Sequence, residues 1–330
     1  MNRDAAPPRW LPFVVLGIGL VAISFGAVLA RFAQGFGLPS LAIAAMRLGF
    51  ATLLITPVAV WRSRRVLLAM TRRQGLLALG AGFFLALHFA TWISSLEYTS
   101  VASSTALVTT NLLWIGLASF FLFGDKPRPL MLVGMAISIS GSLLIFWSDS
   151  SNSAPGSNPL LGNFLALVGS WCFSAYLLIG RRLRANMPLP AYVWLAYGVA
   201  SIFLLLACGG AGVTLTGYTL PAYLVALGMA LGPQLLGHTS YNWSLKHVSP
   251  TFVAVVTLGE PVGSAVLAGI FIIENALLLR NSSRLARELR TALMEARAAT
   301  QSKSHFFAAA SHDLRQPFQA MRLFYGVLEQ

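Results

Sequence analysis

The sequence predicts an all-α integral membrane protein of two inverted five-helix repeats, with the tenth helix missing and a soluble helix following in its place. Three observations predict it. The 330 residues are 56% hydrophobic and 10% charged, with a mean hydropathy of +0.72, where a soluble domain carries about 25% charged residues. The basic residues sort onto one side of an alternating series of apolar segments. The chain also resembles itself at an offset of 149–150 residues. The composition excludes a water-soluble globular protein, a disordered chain and a secreted disulfide scaffold. Cys172 and Cys208 sit in apolar runs and fit neither a disulfide framework nor a metal site, so no metal is expected. The net charge of +13 lies mostly in short loops between apolar segments. That is the pattern of a multispanning chain in a lipid bilayer, and no nucleic-acid partner is expected.

Counting roughly 20 apolar residues per span gives nine spans, at about 11–30, 39–60, 74–95, 101–123, 129–147, 160–180, 190–208, 219–243 and 250–273. The first runs from Leu11 to Ala30 with no small-residue cleavage pattern, so it reads as a span and not a leader. Turn chemistry separates the segments, as at Gly35-Phe36-Gly37-Leu38-Pro39 and Gly124-Asp125-Lys126-Pro127. With the N-terminus inside, the inner side receives Arg3, Arg9, Arg62, Arg64, Arg65, Arg72, Arg73, Lys126, Arg128, Arg181, Arg182, Arg184 and Lys246, and the outer loops receive Arg31. This positive-inside split supports the first eight spans together, because losing an early one would scramble it.

Leu96-Glu97-Tyr98-Thr99-Ser100 corresponds to Leu245-Lys246-His247-Val248-Ser249, and Gly19 to Arg31 corresponds to Gly169 to Arg181, with Ser24 opposite Ser174. Five spans per unit is an odd number, so the second copy is expected to be inverted. Arg31 then falls outside and Arg181 inside. Inverted repeats with a site at their interface near the midplane are a transporter architecture. The expected organisation is a first repeat at 11–147, a polar linker at 148–159, a second repeat at 160–274 and a helical tail at 275–330.

The run Leu96 to Ala102, then Asn111-Leu112-Leu113-Trp114, and the closing Thr257-Leu258-Gly259-Glu260-Pro261-Val262 resemble the drug/metabolite transporter superfamily, EamA type, over about residues 11–274. The resemblance implies ten helices, a place in the bacterial inner membrane, and export of small metabolites or amino acids. Leu112 departs from the pattern, which often has proline after the asparagine, and this puts a helix break there in question.

Beyond Glu274 come Arg280, Arg284, Arg287 and Arg290. An arginine at a helix centre costs about 2.5–3.5 kcal/mol to insert, so this segment is expected not to cross. It reads as a soluble helix with a weak heptad seam, Leu278, Leu285, Ala292, Ala299 and Phe306 beside Ser282, Leu289, Ala296, Lys303 and Ala310. A helix lying on the membrane surface is the alternative. The string Ser311-His312-Asp313-Leu314-Arg315-Gln316-Pro317 resembles the phosphoacceptor helix of a sensor histidine kinase, over about residues 281–330. That resemblance implies His312 as phosphoacceptor, Asp313 as general base, a homodimer through this helix, and a kinase or response-regulator partner. The asparagine box and ATP lid of such a kinase are not in the sequence. ATP would therefore act only through a kinase domain outside this chain, and no cofactor is expected. Nine spans place the tail outside, yet its basic residues and phosphorelay chemistry belong inside. A re-entrant ninth segment, a translocated inert tail, or a truncated or chimeric product would each resolve the conflict, and the last fits two families cut near residue 275.

Polar groups inside spans are costly and face a cavity or a partner. Glu260, before Pro261, is the strongest candidate for a substrate amine or a coupling proton, and its repeat counterpart is Asn111. His88 and Trp92 lie one helical turn apart, and His238 clusters with Tyr241, Asn242 and Trp243. Their aromatic faces could stack on a ring or a cation. Arg47 could pair with a substrate carboxylate or with Glu97. Structural roles compete at each position: helix capping for Glu260, interhelical hydrogen bonds for the histidines, interfacial anchoring for Trp243, and close helix packing for Gly80-Ala81-Gly82. The leading expectation is a transporter moving a small organic solute by alternating access. The rivals are the membrane-embedded sensor part of a histidine kinase and an inactive fusion.

Overall fold

A computed structural model of the chain describes residues 8–124, parts of 129–144 and 158–328, with side chains described, a few apart, as far as residue 301. Among the described residues every regular element is helical. The first half holds α1 (Leu11–Gly35), α2 (Ser40–Leu68), α3 (Arg72–Tyr98), α4 (Val101–Val108) and α5 (Asn111–Phe123). The second holds α6 (Pro159–Arg184), α7 (Leu189–Gly210), α8 (Leu220–Met229), a π-helical segment (Ala230–His238), α9 (Thr239–Ser244), α10 (Pro250–Thr257) and α11 (Glu260–Leu328). Eight stretches among the described residues are long and apolar enough to cross a membrane. They coincide with eight of the nine expected spans; the fifth, at 129–147, is described only in part, as helix at 129, 132–137, 140–141 and 144, and the linker at 148–159 lies largely outside the described residues. Large apolar side chains such as Leu53, Trp61, Phe121, Ile202 and Leu206 are exposed. In a lipid solvent that exposure carries no penalty, and on this scale it marks a membrane-facing surface.

Two of the spans are broken, and the breaks are written in the local sequence. Ser100 caps α4 by accepting a hydrogen bond from the Ser103 amide (3.0 Å), and Ser249 caps α10 by accepting one from the Phe252 amide (3.2 Å). Each half-helix is 8 residues long. The first stops at Thr109-Thr110, where both hydroxyls turn back onto carbonyls of the preceding turn, and the second stops at Leu258-Gly259. The chain restarts at Asn111 and at Glu260. Leu112 therefore does not prevent the break; local side-chain hydrogen bonding competes with the helix ladder there without a proline. Pro261 is also not a mid-helix disruptor. It lies in the first turn of α11, where its missing donor would have been unsatisfied anyway.

The core is built by close helix contact. α3 packs along both α6 and α7, α2 packs along α7, and α1 packs along the π-helical segment. Glycines allow it. A Cβ on Gly82 would meet the Val199 side chain and come within 3.1 Å of the Ala196 carbonyl oxygen. One on Gly162 would reach the Thr99 backbone nitrogen at 2.9 Å. Backbone approach of this kind is how membrane helices gain van der Waals contact without a hydrophobic drive between them.

The chain forms two compact units, residues 1–268 and 269–330. Within the second, the helix continues through the Asn275 junction without a break to Leu328. Arg284 pairs with Glu288 one turn on (2.9 Å), an exposed pair worth about 0.3–0.5 kcal/mol. The seam residues Leu278, Leu285 and Leu289 are exposed. His312 and Asp313 fall on this helix, but their side chains lie outside the described residues.

The glycine contacts give a direct test. Gly82→Ala should lower the stability of the purified protein by about 1–3 kcal/mol, the usual cost of overpacking. Gly80→Ala should be near neutral, because its Cβ would sit 3.6 Å from a movable Ile179 methyl. Thermal unfolding in detergent, wild type beside both variants, checks the difference.

Candidate functional site

Arg47 lies on α2, in the middle of the membrane-spanning bundle, and is 1% exposed. A guanidinium at that depth is tolerated only where something replaces its water. Its Nε donates to the Gln234 Oε1 at 2.8 Å. Its guanidinium carbon stands 4.1 Å from the centre of the Phe89 ring and 6.0 Å from that of Trp92. Desolvated cation–π contacts of this kind contribute about 2 kcal/mol. Among the described residues no carboxylate comes within 4.0 Å of Arg47 to neutralise it. One terminal nitrogen of Arg47 is buried without a hydrogen-bond partner. The expected alternative partner, Glu97, is elsewhere: it accepts hydrogen bonds from the hydroxyl and amide of Ser40.

Around Arg47 the helices leave a cavity of about 20 Å³, lined by Ile23, Arg47, His88, Trp92, Val108, Thr109, Asn111, Phe173, His238, Tyr241 and Glu260. Space of that size holds about one water molecule. A molecule of metabolite size would fit there only if the surrounding helices separated. The broken spans deliver two of the lining residues. Asn111 and Glu260 each begin the second half of a broken helix, and the Asn111 Oδ1 accepts a hydrogen bond from the Thr257 hydroxyl at 3.1 Å. The two breaks thus touch.

The aromatic wall has a defined polarity. His88 Nδ1 donates to the Gly169 carbonyl at 2.9 Å, which leaves its Nε2 as an acceptor. Its ring stacks on Trp92, with centroids 5.9 Å apart and planes within 2°. His238 stands 6.1 Å from His88 and 5.1 Å from Phe89, centroid to centroid. The Nδ1 of His238, the indole nitrogen of Trp92 and the hydroxyl of Tyr241 are buried without protein partners. A buried polar group left unpaired costs about 1–3 kcal/mol, and residues carrying three of them line this cavity. Among the described residues no cluster of three or more His, Cys, Asp or Glu could hold a metal ion.

The structure places Arg47, His88, Trp92, Asn111, His238 and Glu260 around this one cavity. It adds Thr109 and Phe173 to the lining, places Tyr241 there beside His238, and adds Gln234 as the partner of Arg47. Gln234 had a signal in the sequence, an uncharged polar residue in an apolar run directly after Pro233, but its partner lies 187 residues away. His312 and Asp313 belong to the second unit, and their side chains lie outside the described residues.

Comparison with known proteins agrees with this architecture. The model of the EamA-like transporter family matches residues 10–147 and 160–279. The threonine/homoserine exporter RhtA of Escherichia coli strain K12 is 28% identical over 274 residues, covering 80% of this chain and 84% of its own. An uncharacterized transporter of Clostridium kluyveri is 26% identical over 216 residues, covering 59% of this chain and 68% of its own. A solved crystal structure, 18% identical, superposes with a TM-score of 0.63 over 81% of this chain and 90% of that one, which shows a shared fold. The matched segments take in both broken spans and every residue of the cavity, so the chain belongs to the EamA-like transporter family and is a multi-pass inner-membrane transporter of small organic solutes.

Proposed function

We propose that the chain exports small amino acids, with the cavity around Arg47 as the binding site. One observation carries the reading: a buried guanidinium and the carboxylate of Glu260 line the same cavity without forming a direct ion pair. An α-amino acid carries the complementary pair of charges. Its carboxylate suits the planar donor fork of Arg47, and its ammonium suits Glu260. The stacked His88 and Trp92 rings provide a flat wall for the rest of the molecule. Asn111 anchors the first break beside the site, and His238 offers a further hydrogen bond. Similarity to a threonine/homoserine exporter supports the substrate class and the direction.

Replacing Glu260 with Gln keeps the shape and removes the charge. It should abolish transport of L-threonine by the protein reconstituted in liposomes while leaving its detergent elution profile unchanged. Unchanged flux would sink the assignment of Glu260. Arg47→Lys keeps the charge and loses the fork, so the KM should rise about tenfold or more, the cost of one charge-assisted contact.

We read the two halves as inverted in the membrane, moving by alternating access. The breaks at equivalent positions support this. The repeat mates Ser174 and Ser24 each also touch the helix that restarts after a break: Ser174 donates to the Asn111 carbonyl (3.4 Å), and the Ser24 carbonyl accepts from Ser264 (2.9 Å). Inversion predicts opposite sidedness for repeat mates. Phe36→Cys should react with an impermeant maleimide on intact cells, and Asn186→Cys only after permeabilisation. Both positions are exposed, and the native Cys172 and Cys208 are buried.

For the tail, the phosphoacceptor reading rests on the His312 to Pro317 string, supported by an unbroken helix through it. Its test is phosphorylation in trans by a histidine kinase catalytic domain with labelled ATP. Acid-labile label on the wild type, absent from His312→Gln, would establish it.

A further inference from the structure

We propose that Gln234 is a positioning residue that holds the Arg47 guanidinium in place while leaving its charge free for the carboxylate of the solute; this rests on the reading of the cavity as an amino-acid site. Gln234 is completely buried, and its side-chain carbonyl accepts the Arg47 Nε–H at 2.8 Å. Phe89 covers one face of the guanidinium. Two restraints on Arg47, one at the Nε edge and one on the ring face, fix the plane of the fork. What they leave unpaired is a terminal nitrogen of Arg47 and the Nε2 of Gln234, both buried donors. A buried guanidinium nitrogen without an acceptor, on a residue that lines the cavity, describes a site for an anionic oxygen.

The choice of residue type matters. A carboxylate at 234 would form a buried ion pair and use up the attraction that a solute carboxylate needs. An apolar side chain would leave the Nε donor unpaired and the fork free to turn. A carboxamide is the group that orients a guanidinium without neutralising it.

The backbone is arranged to deliver this carboxamide. Gln234 sits in the π-helical segment Ala230–His238, directly after Pro233. A π turn carries an extra residue, so side chains within it point differently from those of a continued α-helix. The loosened ladder is stabilised by side chains: the hydroxyls of Tyr197 (3.4 Å) and Thr239 (3.3 Å) both donate to the Gln234 carbonyl. Both the backbone and the carboxamide of Gln234 are therefore held.

The test uses the full chain in proteoliposomes, with L-threonine as substrate and 1-amino-2-propanol, the same molecule without its carboxylate, as competitor. Q234E should raise the KM for L-threonine about tenfold or more and change Vmax less than about twofold. Competition by the amine should be unchanged or improved. Q234L, which has no carbonyl, should raise the KM in the same direction and stands in if Q234E does not fold. Q234N should recover part of the affinity. Well-folded Q234E and Q234L with an unchanged threonine KM would overturn the proposal, as would equal weakening of threonine and amine, or a fall in Vmax alone. A wild type that does not transport L-threonine overturns the amino-acid reading and this proposal together. An active wild type with unaffected variants overturns only this one.

Discussion

A positive charge held in the middle of a membrane bundle is the constraint around which this structure is organised. Among the described residues no carboxylate lies within 4.0 Å of Arg47, although Glu260 lines the same cavity, and a guanidinium in hydrocarbon is costly. The protein offsets the cost with a carboxamide, an aromatic face and a small polar cavity. Each of these makes its own demand. The carboxamide requires a π-helical turn, the aromatic face requires α3 to lie against α2, and the cavity requires two spans to stop short and restart. An apolar residue at 47 would remove the need for all of them, which is why a functional origin for the arrangement is the economical one.

Much of this was legible in the sequence. Apolar length and basic-residue placement located the spans, because hydrocarbon thickness and backbone hydrogen bonding leave a chain few alternatives in a bilayer. The repeat match pointed to Ser100 and Ser249, which turn out to cap the two half-helices, and to Asn111 and Glu260, which restart them. These signals are local, carried by a few consecutive residues. What was not legible is long-range. The sequence offered Glu97 as a partner for Arg47 on grounds of charge, but Glu97 sits by the start of α2 with Ser40. The real partner is an uncharged residue in the other half. The π-helical register has no periodicity signature strong enough to separate it from an apolar α-helix.

The tail shows the same limit from the other direction. Arginines at 280, 284, 287 and 290 argue locally against insertion, and the family match runs to residue 279, just before the first of them. Local charge and family similarity thus mark the same place. The helix itself ignores the boundary, because Ala, Leu, Glu and Arg all favour helix whatever surrounds them. A propensity that is satisfied on both sides of a junction cannot report the junction.

Most of the close glycine contacts fall within two sets of helices, and Gly26 of α1, against Trp92 of α3, links the sets. Gly82 joins α3 to α7, Gly162 and Gly169 join α6 to α3, and Gly180 joins α6 to α7, with α2 lying along α7. Gly19 and Gly237 join α1 to the π-helical segment and α9, and Gly259 and Gly263 bring the second break against α1. Contacts that close between backbones slide or separate poorly, which favours movement between the sets over movement within them. The cavity lies on the seam. Arg47, His88 and Trp92 belong to the first set, and His238, Tyr241 and Glu260 to the second. The bond from Arg47 to Gln234 crosses that seam. On the proposed reading, the two charges of an amino acid engage opposite sides of it, carboxylate to one set and ammonium to the other. A solute bearing only one of the charges engages one side and leaves the seam free to part. Discrimination and movement would then share one physical basis, the need for both charges to close the gap between two preformed bodies.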